Sequence, residues 1–221
     1  MMTFRELVIA QFIEVSKRYP DLVLCFNDSG ATVYGTIAFR RKVLGNWMSD
    51  NYQVSIGIPT GYPDEMPETK EIGGRVPVSF HTNPGDYLCL EVPIRIELLF
   101  RENPTLLFYI DNFVIDYLTT YTCYRRLGKM PYGERAHGIK GKMQFYEELF
   151  NTKKWNIIID YLKMLANMSY RGHRWCFCGS GKRLRNCHKD FVSKLISADK
   201  LRIFQEDYKE ILDYLKKKGK I

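Results

Sequence analysis

Two groups of residues in this chain have the types and spacing for chemistry. Trp175 to His188 reads WCFCGSGKRLRNCH, which packs Cys176, Cys178, Cys187 and His188 into thirteen residues. Three thiolates and one imidazole form the closed tetrahedral donor set that zinc prefers. One structural zinc ion per chain is therefore expected, with no open position left for catalysis. Gly179 and Gly181 permit the sharp turn that brings the two ligand pairs together. Lys182, Arg183 and Arg185 are placed to offset the charge of the thiolates. A module this small has no core of its own, so metal binding must supply much of its folding energy. The second group is Phe80 to Val92, FHTNPGDYLCLEV. There Cys89 follows a tight polar turn, Asn83-Pro84-Gly85-Asp86, and lies between the apolar Leu88 and Leu90. A cysteine just after a turn can sit on exposed backbone while its neighbours anchor it, which suits a thiolate nucleophile. Its other reading is a buried strand cysteine, since free cysteine is among the most buried residue types.

The surroundings of Cys89 carry a resemblance. Tyr62-Pro63, a later Pro67, His81-Thr82-Asn83, Gly85 and Cys89-Leu90 follow one another in an order that resembles the ubiquitin-conjugating enzymes. The resemblance covers residues 1–125. It implies a helix, a four-strand antiparallel meander, an active-site segment with Cys89 as thioester-forming nucleophile, and a helix after it. It also implies that Asn83 supports the active-site loop and stabilises the oxyanion formed when a lysine attacks a thioester, through its amide donor. As plain turn chemistry, Asn83 is equally accounted for by Asn-Pro-Gly. His81 is read chiefly as structural, bonding a loop carbonyl, with general-base work as the second reading. Thr82 stands where the family has proline, and the stretch from Asn83 to Cys89 is shorter than the family's. The Cys/His run resembles the short SEC-C zinc module found appended to many bacterial proteins. A divergent conjugating domain with that module resembles prokaryotic conjugating-enzyme-like proteins of anti-phage operons. For the cyclic-oligonucleotide type (CBASS), the resemblance implies a cGAS-like nucleotidyltransferase as the partner whose C-terminus is carried on the cysteine.

The elements that must position these residues follow from hydrophobic periodicity. Phe4, Leu7, Val8, Phe12 and Val15 form one face of a helix over residues 3–19, with Thr3 and Glu6 at capping-box spacing. Strands are expected over 21–27, 31–40, 52–58 and 68–72, with Tyr52, Val54, Ile56 and Ile58 on one face. Residues 105–125 read as a wide apolar helix, 128–142 as irregular, 143–150 and 155–168 as helices, and 191–218 as one helix. Leu201, Phe204, Tyr208, Ile211, Leu212 and Leu215 make a docking stripe on the last of these. Cys25 and Cys123 fall in apolar strand and helix patterns and are expected in the core. The polar loop Gly133 to Gly138, with His137, has the residue types of a functional loop.

Composition sets the wider bounds. At 221 residues with 45% hydrophobic content, the chain is long enough for an ordinary core plus a small appendage. Its net charge of +8 is unevenly spread, with residues 1–120 at −5 and residues 121–221 at +13. The basic half suits nucleic acid, an acidic protein surface, or merely a solvated face. Nucleic acid is the less favoured partner, because Asp and Glu interrupt the basic residues of the last helix and no base-stacking platform is evident. Residues 1–20 mix charges among apolar residues, so no signal pattern is seen, and the most apolar run, 106–118, is too short and too acidic to span a membrane. Cysteine usage fits a reducing compartment, hence a cytoplasmic location without a membrane partner.

The fold expected is α+β. A ubiquitin-conjugating-like domain with an antiparallel meander sheet and flanking helices spans 1–125, a helical extension 126–170, a zinc module 171–190 and an amphipathic helix 191–221. The function expected is a conjugating-like acyl carrier that accepts a partner protein's C-terminus as a thioester and passes it to an amine. The alternatives are a catalytically inactive binding module of the same fold and a zinc-containing nucleic-acid-binding protein.

Overall fold

A computed structural model of the chain describes residues 2–131, 138–199 and 202–219. It is α+β, and the backbone divides into two compact units. The first comprises Met1–Glu91 and Leu99–Glu134; the second comprises Val92–Leu98 and Arg135–Ile221. Among the described residues no helix is long and apolar enough to cross a membrane.

The first unit opens with α1, Phe4–Arg18, held at its start by the expected capping box. Thr3 Oγ1 accepts from the Glu6 N–H at 3.3 Å, and the Glu6 carboxylate accepts from the Thr3 N–H at 2.7 Å. An antiparallel meander follows: β1 (Leu22–Asn27), β2 (Gly30–Val43), β3 (Asn46–Pro59) and β4 (Glu68–Glu71). Two short strands, β5 (Thr82–Asn83) and β6 (Tyr87–Leu88), extend it to the order β1-β2-β3-β4-β6-β5. β2 and β3 pair without a break from Gly30↔Pro59 to Val43↔Asn46, longer than hydrophobic runs alone suggest. The reason is that alternation persists through a charged stretch. Phe39, Val43 and Met48 stay buried while Arg40 and Lys42 project to solvent. Tyr52, Val54, Ile56 and Ile58 are all buried, as their alternation predicts.

A helical run covers the buried face: α3 (Leu106–Tyr109), a π-helical turn (Ile110–Val114) and α4 (Ile115–Leu127). Thr105 caps its start and Gly128, in the left-handed region, ends it. Buried hydroxyls tie helix to sheet, Tyr52 with Thr122 at 2.8 Å and Thr69 with Tyr109 at 3.0 Å. Cys123 is buried against Val43 and Met48, as expected. Cys25 is not: it is exposed. β1 is an edge strand with one covered face. Leu22, Leu24 and Phe26 turn inward, which puts Cys25 outward opposite Thr32.

The second unit gathers the first part of α2 (Pro93–Phe100), α5 (Gly138–Leu149), α6 (Trp155–Ala166), the Cys/His segment, α7 (Lys189–Ala198) and α8 (Ile203–Lys217). The sequence separates residues 126–221 into three successive pieces. In the structure Tyr146, Leu162, Cys176, Leu184, Val192, Phe204 and Ile211 belong to one apolar cluster. A twenty-residue knuckle buries too little surface to stand alone, so its apolar residues complete the core of the helices around it. The last helix is also not continuous. The Asp199 carboxylate accepts from the N–H groups of Ile203 and Phe204 at 2.6 and 3.0 Å, which starts a separate α8. The stripe on α8 does dock, with Phe204, Ile211 and Leu215 fully buried. Gly138 begins α5, earlier than the sequence indicates, and α2 is a helix beyond those expected. Leu201 and the loop residues Gly133 to His137 lie outside the described residues.

Candidate metal centre and candidate thiol site

The metal-ligand cluster is assembled by a short antiparallel ribbon and a helix start. Trp175 bridges Arg183, the Cys176 N–H donates to the Lys182 carbonyl at 2.8 Å, and the Leu184 N–H donates to the Arg174 carbonyl at 2.8 Å. The ribbon turns through Gly179 and Gly181 at φ +75° and +68°, a region that side-chain-bearing residues seldom enter. A 3-10 turn, Leu184–Asn186, then delivers Cys187 and His188 to the start of α7. The four ligand atoms lie within 4.8 Å of one another. His188 Nδ1 is 3.1 Å from Cys176 Sγ and 3.2 Å from Cys187 Sγ, and the Cys178 and Cys187 sulfurs are 3.6 Å apart. A tetrahedral ion bonded at about 2.3 Å to sulfur and about 2.0 Å to nitrogen sets edges of roughly 3.8 Å (S···S) and roughly 3.5 Å (S···N). The residues therefore could hold one metal ion, and a donor set of three sulfurs and one nitrogen is compatible with zinc.

Two neighbours of the sulfurs escape a reading of ligand spacing alone. The Ser180 hydroxyl lies 3.3 Å from Cys187 Sγ, and the Tyr161 hydroxyl of α6 lies 3.5 Å from Cys176 Sγ. The hydrogen bond from the Ser180 side chain, aided by its backbone and by the neighbouring thiols, draws the Cys178 thiol down to about 6. Burial instead pushes the Cys176 thiol up. Such bonds orient ligands and stabilise thiolates. Ser180 is visible in sequence as the hydroxyl inside the Cys-Gly-Ser-Gly turn; Tyr161 is not, because only the tertiary fold brings it near. Leu184 is fully buried beneath the cluster. Leu184→Ala is expected to cost the second unit about 2–5 kcal/mol, with the metal retained. Urea unfolding followed by near-ultraviolet circular dichroism, alongside metal content, checks this.

The thiol site belongs to the first unit. Residues 72–92 carry little regular structure, so their backbone polar groups need side-chain partners. The Glu71 carboxylate accepts from the N–H groups of Gly73, Arg75 and Val76 at 2.8 to 3.1 Å. Tyrosines of α4 hold the other side. The Tyr121 hydroxyl donates to the Arg75 carbonyl at 2.6 Å, and the Tyr117 hydroxyl donates to the carbonyls of Phe80 (2.6 Å) and His81 (3.2 Å). The Phe80 ring packs edge-on against Tyr117, Tyr121 and His81.

From this anchor the chain makes a hairpin, pairing Thr82 with Leu88 and Asn83 with Tyr87, through a turn with Gly85 and Asp86 at positive φ. The Cys89 N–H donates to the His81 carbonyl at 2.8 Å. Because side chains alternate, Leu88 and Thr82 share the inner face. Asn83 and Tyr87 share the outer one, while His81, at φ +47°, and Cys89 flank the two strands at the base of the hairpin, so the three residues singled out in the sequence lie on one short hairpin and its base. Cys89 is half-buried, Asn83 is exposed, and His81 acts through its backbone carbonyl. Leu88 is buried as expected; Leu90 is half-buried.

The electrostatics do not favour a standing thiolate. Burial first, and the Glu91 carboxylate second, push the Cys89 thiol up. Reaction at Cys89 thus draws on a small thiolate fraction at neutral pH. Alkylation of the native protein by iodoacetamide is expected to label exposed Cys25 first, Cys89 more slowly and Cys123 hardly at all. The Cys89 rate should still be climbing at about pH 10, where an ordinary cysteine is near saturation. Peptide mapping across a pH series reads both orders. A Cys89 rate that levels off below neutral pH contradicts the site's electrostatics.

Comparison of the chain with protein-family models gives no match, and comparison with curated proteins gives none.

Proposed function

We propose that the first unit is a ubiquitin-conjugating-like acyl carrier with Cys89 as the thioester-forming nucleophile. The observation that carries the reading is the placement of Cys89. It sits half-exposed at the exit of a short hairpin that carries Asn83, its N–H bonded to the His81 carbonyl, on a segment held by α4 tyrosines against an antiparallel meander. The element order, helix then meander then cysteine segment then helix, is that expected of the family the residues resemble.

In the reaction proposed, Cys89 Sγ loses its proton and attacks a thioester carbonyl on the donor. A new C–S bond forms, the old one breaks, and the released thiolate takes up a proton. Little free energy changes, since one thioester replaces another. An amine then attacks the carbonyl, a C–N bond forms, the bond to Cys89 Sγ breaks, and the amine's proton leaves to solvent or a base. The acyl group is the C-terminus of a partner protein. By the resemblance, that partner is a cGAS-like nucleotidyltransferase in bacterial anti-phage defence, and the setting is the cytoplasm. The ion of the second unit is zinc, one per chain, structural because all four positions are taken by the protein.

The test is an intact-mass spectrum of the protein purified with the products of neighbouring genes. A covalent, thiol-reducible adduct that maps to Cys89 supports the carrier. A stoichiometric partner with no adduct overturns it in favour of the binding module.

A further inference from the structure

The Cys/His segment carries a surface that its metal does not need. Trp175 is 61% exposed, although it lies in the ribbon that holds two of the ligands. Its ring is stacked under the Arg183 guanidinium at 3.7 Å, and that guanidinium is fixed by donating to the His173 carbonyl at 2.8 Å. With one face covered by the guanidinium, so large an exposure leaves the opposite face of the indole to solvent. In the same segment Arg171, Arg174, Lys182, Arg185 and Lys189 are exposed, Arg174 lying over the Phe177 ring. Residues 171–189 contain no Asp or Glu. Neither Arg183 nor any of these five forms an ion pair among the described residues. Exposed cations without carboxylate partners, together with a pre-stacked aromatic ring, are the two components of a single-stranded nucleic-acid site: charge follows the phosphates, and the ring takes a base.

We infer that the Cys/His segment of the second unit binds single-stranded nucleic acid, with a base stacked on the free face of Trp175 and phosphates held by Arg183 and its neighbouring cations. A membrane surface asks for a broad apolar face of several exposed Trp, Phe or Leu side chains beside the cations, and of these residue types in 171–189 Trp175 alone is exposed. The one aliphatic residue of the stretch, Leu184, is fully buried. The inference does not depend on the thiol chemistry proposed for Cys89, which lies in the other unit. It also supplies the platform that sequence periodicity fails to reveal. Trp175 adjoins a ligand cysteine and reads there as part of the metal motif.

The experiment is fluorescence anisotropy with end-labelled oligo(U) and oligo(dT) of about 12 nucleotides, using the full chain with its metal bound. Expected is binding whose logarithmic affinity falls with the logarithm of salt at a slope of roughly −2 to −4. Trp175→Ala should weaken it about tenfold, and Trp175→Phe, which keeps a stacking face, should recover most of that loss. Arg183→Ala combined with Arg185→Ala should flatten the slope by about 1.4. Trp47→Ala is the control. That residue is also exposed under an arginine, Arg40, but lies on the sheet of the first unit. Absence of binding at low salt overturns the inference. So does unchanged affinity in Trp175→Ala with metal retained, or a loss in Trp47→Ala instead. Binding to vesicles of phosphatidylglycerol but not to either oligonucleotide overturns it in favour of a membrane surface.

Discussion

Cys178→Ser is expected to release the metal and loosen the second unit while the first keeps its fold. Removing one of four donors leaves a three-donor site whose affinity no longer offsets the cost of ordering the ribbon. The loss does not stop at the knuckle. Cys176 and Leu184 sit in the same apolar cluster as α5, α6, α7 and α8, so melting the ribbon uncovers that core. Cys178 is the informative ligand because it is exposed, and serine there creates neither a cavity nor a buried hydroxyl. Any destabilisation then reports the metal and not packing. Destabilisation of at least about 3 kcal/mol is expected, roughly 15 °C in midpoint for a unit of this size. The sheet unit has its own core around Ile37, Tyr52, Val54 and Ile56. Metal analysis should fall from one ion per chain to near none. Hydrogen exchange should speed up in α6 to α8 and stay slow in β2 and β3. Full metal content in Cys178→Ser would refute the ligand set, and equal loosening of β2 and β3 would refute two separately stabilised units.

The fold was legible wherever side-chain periodicity reports burial on its own. Thr3 and Glu6 announce the α1 capping box, and Tyr52 to Ile58 announce a strand with one buried face, because both signals are local. The misses have local causes too. Pro93 in the first turn, followed by Ile94 and Leu98, is a helix-start signal, but it follows Cys89 so closely that it reads as part of the cysteine segment. Cys25 misled because Leu22 to Phe26 reads as a continuous apolar run. An edge strand with one covered face leaves every second residue outside, and only pairing to β2 reveals which. Asp199 marks the break before α8, since a carboxylate ahead of an apolar stripe is a cap, yet the stripe itself reads straight through. At the sites, residue type and spacing single out Cys176, Cys178, Cys187 and His188, whose ligand atoms the fold brings within 4.8 Å of one another. The long-range contributions of Tyr161, Tyr117 and Tyr121 were not readable, because a hydroxyl that satisfies a distant sulfur or carbonyl leaves no periodic trace.

On the carrier function proposed, Cys89→Ala is expected to abolish covalent loading completely, and the substitutions around it should separate the two halves of the proposed reaction. No second thiol shares the hairpin, and Cys25 and Cys123 lie on β1 and α4. Cys89→Ser should trap an oxyester that resists amine attack better than a thioester, so the adduct persists under reducing conditions that strip the wild-type one. Asn83 is exposed on the hairpin that leads to Cys89, and its side-chain amide makes no hydrogen bond among the described residues, which leaves its N–H donors available to a transition state. A donor aimed at the oxyanion of amine attack lowers that barrier by ~2.7–4 kcal/mol, about 100- to 1,000-fold in rate. Asn83→Ala should therefore load normally, discharge slowly and accumulate thioester, since an interaction made in only one transition state affects only that step. The pH dependence follows from the raised Cys89 thiol: loading needs the thiolate, so its rate should keep increasing past about pH 8.5. Paired reducing and non-reducing gels, with the donor protein from a neighbouring gene and free lysine as acceptor, read loading and discharge separately. Equal slowing of both steps in Asn83→Ala would make the residue a turn former alone. A reducible adduct that persists undiminished in Cys89→Ala would remove the thiol from the mechanism and leave the first unit as a binding module.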